Sequence, residues 1–430
     1  MRKMKDSGIV RLGLMPEKWI ASRVKYIYSA IGSGTTPSSG NSQYYDGSEN
    51  WIQSGDLYKT KYVIKTEKTV TDFAVSTISA LHKYKADFVI IAMYGASIGN
   101  VAISKIDACV NQACCVIKPN SKMDFNYLYY TLVNDKDIML DMSIGGTQPN
   151  ISQAKILELP VFLPPIDEQK KIADFLDEKC GEIDSIRSDI QKQIDILNDY
   201  KKSVITEAVT KGLNPKAKLK DSGIEWIGKI PEHWDCRPIK YGFKLISGST
   251  PKSDNMDFWD GDVIWITPAD YKTEDKYVCQ GKRNISYQGF LSCSTNIVPK
   301  GSLIFSKRAP IGTVAINSVP LCTNQGCLSC VPKACSSSLY FYFVFIVYEE
   351  VFNLLGSGTT FKEISATTFS NVKLPYPSIN EQKNIAAYLD EKCSAIDATI
   401  ADKQKQLETL DEYKKSLIFE YVTGKKEVLA

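Results

Sequence analysis

One stretch of this 430-residue chain is written twice. DEQKKIADFLDEKCGEID, from Asp167 to Asp184, returns as NEQKNIAAYLDEKCSAID from Asn380 to Asp397, 213 positions on. Other pairs keep nearly the same offset. KDSGI at Lys5 recurs at Lys220, and PEKW at Pro16 answers PEHW at Pro231. SGTTP at Ser33 answers SGSTP at Ser247, and YDGSENWI at Tyr45 answers WDGDVIWI at Trp259. IGNVAI at Ile98 answers IGTVAI at Ile311, NQACC at Asn111 answers NQGCL at Asn324, and DYKKSVI at Asp199 answers EYKKSLI at Glu412. A period this long is not a solenoid repeat; it is a tandem duplication of a globular body followed by a helix. Similarity is dense in the helices and patchy in the bodies, and residues 57–90 and 271–303 match poorly.

Each body reads as mixed α and β. DFVIIAMY, VAISKI and CCVIKP are short β-like runs punctuated by Gly, Pro and Asn, whereas FNYLYYTLVNDKDIMLDM and LYFYFVFIVYEEVFNLL read as helical. The repeated segments are helices preceded by Pro164–Pro165 and Pro377, with Asp167 and Asn380 at the expected N-caps and Gly212 and Gly424 at the exits. Gly181 is a candidate break in the first. Ile183, Ile186, Ile190, Leu197, Tyr200 and Val204 form an approximate heptad stripe with a gap at Gln193. Ile396, Ile400, Leu407, Leu410, Tyr413 and Leu417 form its counterpart, interrupted by Lys403. Each stripe could pack on its own body; two matching stripes of matching length favour packing on each other. At 1.5 Å per residue, a rod from Gly181 to Lys211 spans roughly 45 Å, and duplicated units that pair as identical subunits would run their rods antiparallel. The expected fold class is α+β: two pseudo-symmetric mixed α/β bodies joined by two long antiparallel helices forming a coiled coil. The boundaries are 1–165, 166–212, 213–378 and 379–425. Such a spacer suits two half-sites on DNA, where one helical turn is about 34 Å.

Charge follows the same division. Residues 1–165 and 213–378 each hold 18 basic against 14 acidic side chains, while the helical segments are net −3 and −2. Mildly basic bodies permit nucleic acid without requiring it. The start of the chain lacks a signal-peptide pattern, and the apolar run from Leu339 is ten residues long, so a cytoplasmic protein is expected. Twelve cysteines fit free thiols there. Cys322, Cys327, Cys330 and Cys335 invite a zinc reading, but the other copy keeps only Cys109 and Cys114; buried apolar-like cysteines and no metal are expected.

LPPIDEQKKIADFLDEK…ID…DYKKSVITEAVTKG, appearing twice after divergent bodies, resembles the specificity subunit of type I restriction–modification systems, as do KDSGIEWIGKIPEHW, AMYGASIGNVAI and TNQGC. The resemblance covers nearly the whole chain. It implies that each body is a target recognition domain reading one half of a split, asymmetric sequence in double-stranded DNA. The helices would set the gap and dock two methyltransferase subunits, which use S-adenosylmethionine. A motor–nuclease subunit using ATP and Mg would complete the complex, and this chain would be non-catalytic and cofactor-free. The residues agree: there is no GxxxxGK[ST] loop and no Asn-Pro-Pro-aromatic motif, and IGSGTTPSSG loses its glycine spacing in its copy ISGSTPKSD. His82 and His233, the two histidines, do not correspond, which makes histidine catalysis a poor reading.

Candidate DNA contacts follow from chemistry. Lys307–Arg308, before APIG and opposite Tyr94–Gly95, bring a guanidinium that forks onto guanine and a ring that stacks or bonds phosphate. Thr35, Thr36, Thr250 and Lys252 lie in turn-like loops that suit phosphate. Tyr58, Lys59, Lys61, Tyr271 and Lys272 cluster in dissimilar stretches and are candidates for body-specific readout. The shared pairs Asn111–Gln112 and Asn324–Gln325 are expected to satisfy backbone groups. The acidic helix surfaces are expected to be protein docks. Two other classes stay open at this level: a non-DNA adaptor with two ligand-binding domains on a coiled coil, and an enzyme with an unfamiliar site in one body, although the duplication argues against a single active site and not against two.

Overall fold

The computed structural model describes residues 2–9, 13–58, 60–145, 149–358 and 362–428. Its contacts separate into two units, Met1–Ile190 with Lys405–Ala430, and Gln191–Gln404. Each unit therefore holds one body, part of the helix that follows that body, and part of the helix belonging to the other copy.

In the first unit, β1 (Tyr28–Ser33), β2 (Tyr62–Val63), β3 (Phe88–Ala92), β4 (Val101–Ser104) and β5 (Cys114–Pro119) form a sheet in the order β1–β5–β3–β4–β2. Only the β4–β2 pair is parallel. Strand β3, FVIIA, is buried on both faces, so it reads as an unbroken apolar run rather than an alternation. Its period of two still sorts the contacts. Val89 and Ile91 face a cluster containing Tyr127, Leu128 and Leu132 of helix α1 (Phe125–Asn134), whereas Phe88, Ile90 and Ala92 face Ile52, Leu57 and Val110. Helix α1 starts where the Asp124 carboxylate accepts from the Tyr127 N–H at 2.9 Å, and it stops at Asp135. Helix α2 (Ile166–Lys211) follows.

The second unit repeats this plan. Strands β6 (Phe243–Ser247), β7 (Tyr277–Val278), β8 (Leu303–Ser306), β9 (Val314–Asn317) and β10 (Cys327–Pro332) are ordered β6–β10–β8–β9–β7, again with one parallel pair, β9–β7. Helix α3 (Ser338–Val347) covers the Leu303 and Phe305 face, and helix α4 (Ile379–Val422) ends the unit's elements. Among the described residues no single helix is long and apolar enough to cross a membrane. The bent pair Ser338–Val347 and Glu349–Leu355 has a suitable composition, but its aromatic residues fill the core.

Gly181 does not break α2, which runs through all 46 residues; the cost of one interior glycine is about 1 kcal/mol, small beside the packing of the helix. The helices begin at Ile166 and Ile379, one residue ahead of the expected caps, and Ser378 Oγ accepts from the Glu381 N–H at 3.3 Å. Both exits are left-handed glycines, Gly212 at φ +74° and Gly424 at φ +72°.

The helices pair antiparallel within each unit. In the first, Lys414 Nζ donates to Asp184 at 2.7 Å and Arg187 Nη2 to Asp411 at 3.0 Å. In the second, Lys201 Nζ donates to Asp397 at 2.6 Å, and Lys403 Nζ to Gln193 Oε1 at 2.5 Å. The two polar interruptions of the stripes thus meet each other. Ile183, Ile190, Ile396, Ile400 and Leu417 are buried, and Leu197, Val204, Leu407 and Leu410 are half-buried. Ile186, Tyr200 and Tyr413 correct the expected stripe: they are 49%, 54% and 56% exposed. The seam passes one residue further on, through Arg187, Lys201 and Lys414, whose stems pack while their charges find carboxylates. Ile194, Ile205 and Ile418, each buried, complete it.

All twelve cysteines are free. Cys322, Cys327 and Cys330 lie buried in strands, and burial pushes the Cys322 and Cys327 thiols up to about 11 and about 12. Among the described residues no cluster of metal-ligating side chains occurs.

Candidate nucleic-acid interface

The two bodies carry one hydrogen-bonded frame with different side chains on it. In the first unit the chain leaves β3 through Met93, whose N–H donates to Ala113 O at 2.8 Å and whose carbonyl accepts from Ile151 at 2.9 Å. Tyr94 then bridges Asn150, and Asn150 exchanges two backbone bonds with Ile144. In the second unit Lys307 leaves β8, donating to Gly326 O and accepting from Ile364, both at 2.9 Å. Arg308 bridges Glu363, which exchanges two bonds with Ser357. The register sets Lys307 against Met93 and Arg308 against Tyr94, since Ala92 pairs with Cys114 as Ser306 pairs with Cys327. That is one residue away from the match expected from sequence, because the second copy is one residue shorter before IGTVAI.

Tyr94 is exposed. Lys307 Nζ lies 2.8 Å from Glu363 Oε1, and Arg308 Nε donates to Glu363 Oε2 at 2.7 Å. Partial burial pushes the Glu363 carboxyl up, but the bonds from Lys307 and Arg308 outweigh this and hold it below the usual carboxylate range.

Next to this frame sits a shared pair. Thr36 Oγ1 donates to Gln112 Oε1, and Thr250 Oγ1 to Gln325 Oε1. Of the shared pairs expected to satisfy backbone groups, the asparagines do so and the exposed glutamines do not: Asn111 Oδ1 accepts from Ala113 N at 3.1 Å, and Asn324 Oδ1 from Gly326 N at 2.9 Å. Thr35 is half-buried, Lys252 exposed, Tyr58 exposed and Lys272 exposed. Lys59 lies outside the described residues.

Two expected readout residues belong elsewhere. Tyr271 is buried, with its hydroxyl 3.7 Å from Cys327 Sγ. It follows the short turn Pro268–Asp270 as the buried Leu57 follows Ser54–Leu57's Asp56, and it fills the equivalent core position. Lys61 is clamped by Asp177 of α2, with its ammonium about 5 Å from the rings of Tyr62 and Tyr130 (5.0 and 4.9 Å). Lys276 makes the equivalent ion pair with Asp390 of α4. A lysine used identically in both copies holds the body to its helix.

The profile described as "Type I restriction modification DNA specificity domain" matches twice, over residues 16–196 and 231–409. The chain belongs to this family. The type I restriction enzyme MjaIX specificity subunit of Methanocaldococcus jannaschii is 41% identical over 188 residues, 43% of each chain. A putative type I restriction enzyme MjaX specificity subunit of the same organism is 27% identical over 97% of this chain and 96% of its own. A chain solved in work on complex assembly and conformational transition of the type I R-M system shares the fold, with a TM-score of 0.76 at 16% identity over 96% of this chain and 99% of that one. The HsdS subunit from Thermoanaerobacter tengcongensis gives 0.54 at 16% identity, covering 96% and 98%. Specificity subunits are non-catalytic components, and membership of the family implies no catalytic cofactor in this chain.

Sequence reading missed Asn150 and Glu363 as partners of Tyr94 and Arg308. The available signal was the mismatch next to a shared pair: both positions are followed by Ile-Ser, at Ile151–Ser152 and Ile364–Ser365.

Proposed function

We infer that this specificity subunit recognises a bipartite, asymmetric DNA sequence within a type I restriction–modification complex, one half per body. The single observation that carries this is the frame repeated in both bodies with unlike side chains, exposed Tyr94 and Asn150 in one, exposed Arg308 and half-buried Glu363 in the other. A fixed frame positions, and variable side chains specify. Residues 1–165 and 213–378 are the two target recognition domains, and 166–212 and 379–425 the spacer helices. Thr35, Thr36, Thr250 and Lys252 serve the phosphate path; Tyr58, Lys59 and Lys272 add body-specific contacts. The helices dock two methyltransferase subunits and set the gap between half-sites. S-adenosylmethionine, ATP and Mg act in the methyltransferase and motor–nuclease partners, and the complex works in the cytoplasm.

The test is to map modified adenines in host DNA with and without this gene, and again after residues 20–160 are exchanged for another body. One bipartite motif should depend on the gene, and one half of it should change on exchange. A change in both halves, or in neither, overturns the reading.

A further inference from the structure

The repeated frame supports a statement about individual bases. We propose that Arg308 reads a guanine in the half-site of the second domain, held in its reading pose by Glu363, and that Asn150 reads an adenine at the corresponding place in the first. The inference rests on the recognition reading above and deepens it.

Glu363 binds Arg308 through Nε alone, and the two terminal nitrogens have no partner among the described residues. A guanidinium tethered at one edge keeps a free pair of parallel donors, the geometry that matches O6 and N7 of guanine. The tether also limits the rotamers that the long side chain must give up on binding. Lys307 occupies the other carboxylate oxygen and is mostly covered, with 14% of its side chain exposed, against 45% for Arg308. The carboxylate therefore neutralises the covered cation and aims the open one. A carboxylate beside Arg308 also disfavours a phosphate there, because the two anions repel, so the position suits a base edge better than the backbone.

In the first domain, the same backbone bridge presents Tyr94 and Asn150. Neither needs a charge partner. An asparagine amide offers one donor and one acceptor side by side, the complement of adenine N6 and N7. Tyr94, 48% exposed, adds a flat face beside it. Since the frames match, the two bases occupy corresponding places in their half-sites.

The experiment uses the complex assembled in cells with its methyltransferase partner, followed by genome-wide adenine-methylation mapping for wild type, Arg308→Lys, Glu363→Gln and Asn150→Asp. Arg308→Lys keeps the charge and loses the fork. It should relax preference at one base pair of the second half-site by about ten- to a hundredfold and leave the first half-site intact. Glu363→Gln should relax the same base pair less, and Asn150→Asp should act only in the first half-site. The unaffected half reports that the variant is folded. If wild type modifies no bipartite motif, the functional reading itself fails. If the motif is bipartite but the second half-site lacks a guanine, or if Arg308→Lys weakens all sequences uniformly or changes nothing, this inference fails and the functional reading stands.

Discussion

Asp135 makes the first unit sensitive to pH through a buried carboxyl that the equivalent position of the second unit lacks. It caps the C-terminus of α1, is 1% exposed, and receives one bond, from Asn134 Nδ2 at 3.1 Å; Oδ2 has no partner. Burial pushes its carboxyl from the ordinary 3.8 up to about 7, against a small opposing effect of the Asn134 bond. Because the folded value is the raised one, the folded state keeps a proton that the unfolded chain releases between pH 4 and pH 7. Stability is therefore full below about pH 4, falls as pH rises, and is lowest above pH 7. At 1.36 kcal/mol per pH unit, the difference is about 4 kcal/mol. Asp135→Asn removes the titration. Its buried amide costs about 1–3 kcal/mol at low pH, where the native acid is already neutral. Relative to wild type, the variant should gain roughly 3 kcal/mol between pH 4.5 and pH 8.5, because part of the loss has already occurred at pH 4.5. Urea unfolding at five pH values, followed by a probe in residues 1–165, reads this directly. The equivalent position in the second unit is Tyr348, buried and without that titration in this range, so a probe there should show no such difference. A wild-type-minus-variant stability that stays constant across the pH range would refute the argument.

Two further perturbations test the helices. Ile194→Ala, at a buried seam position, should cost about 2 kcal/mol, while Ile186→Ala, half-exposed one step off the seam, should stay within about 0.5 kcal/mol; equal shifts in thermal melting would contradict the seam. Gly424→Ala should cost about 3 kcal/mol or more, since a Cβ there would lie 2.4 Å from Pro16 Cγ and 2.9 Å from Trp19 Cη2 at φ +72°. Gly223→Ala, at φ +69° with open space around it, should cost about 1 kcal/mol. If the two cost the same in denaturant unfolding, the docking of the helix end on Trp19 carries no energy.

Much of this architecture was legible because a duplicated chain supplies its own comparison. Matching segments 213 residues apart gave the two bodies, the helices and the backbone-bonding role of Asn111 and Asn324, though not of Gln112 and Gln325. What failed had two causes. A stripe chosen for apolar residues prefers Ile186, Tyr200 and Tyr413, yet a seam accepts a long cation when a carboxylate waits across it, as for Lys201 and Asp397. Tyr271 and Lys61 were misread because residues 57–90 and 271–303 do not align. Only folding shows that Tyr271 replaces Leu57 in a core and that Lys61 and Lys276 do one job. Asn150 and Glu363 became visible once the backbone bridges set them beside Tyr94 and Arg308.

The placement of likeness and difference explains how such a chain can vary what it reads. Several contacts that join one copy to the other's helix use the same atoms in both units. Tyr127 Oη donates to Val422 O at 3.1 Å, and Tyr340 Oη to Val209 O at 3.3 Å. Lys414 meets Asp184 as Lys201 meets Asp397. Each copy must therefore supply both halves of every such contact, and a change in one residue disturbs one unit while its counterpart in the other remains. The unlike side chains on the repeated frames meet no such demand. Tyr94 and Asn150 can differ from Arg308 and Glu363 because the bonds that hold the frame are made by backbone atoms, which are the same whatever side chain is attached. Recognition can then change by substitution at positions that the fold does not use, while the pairing that unites the two copies is left untouched.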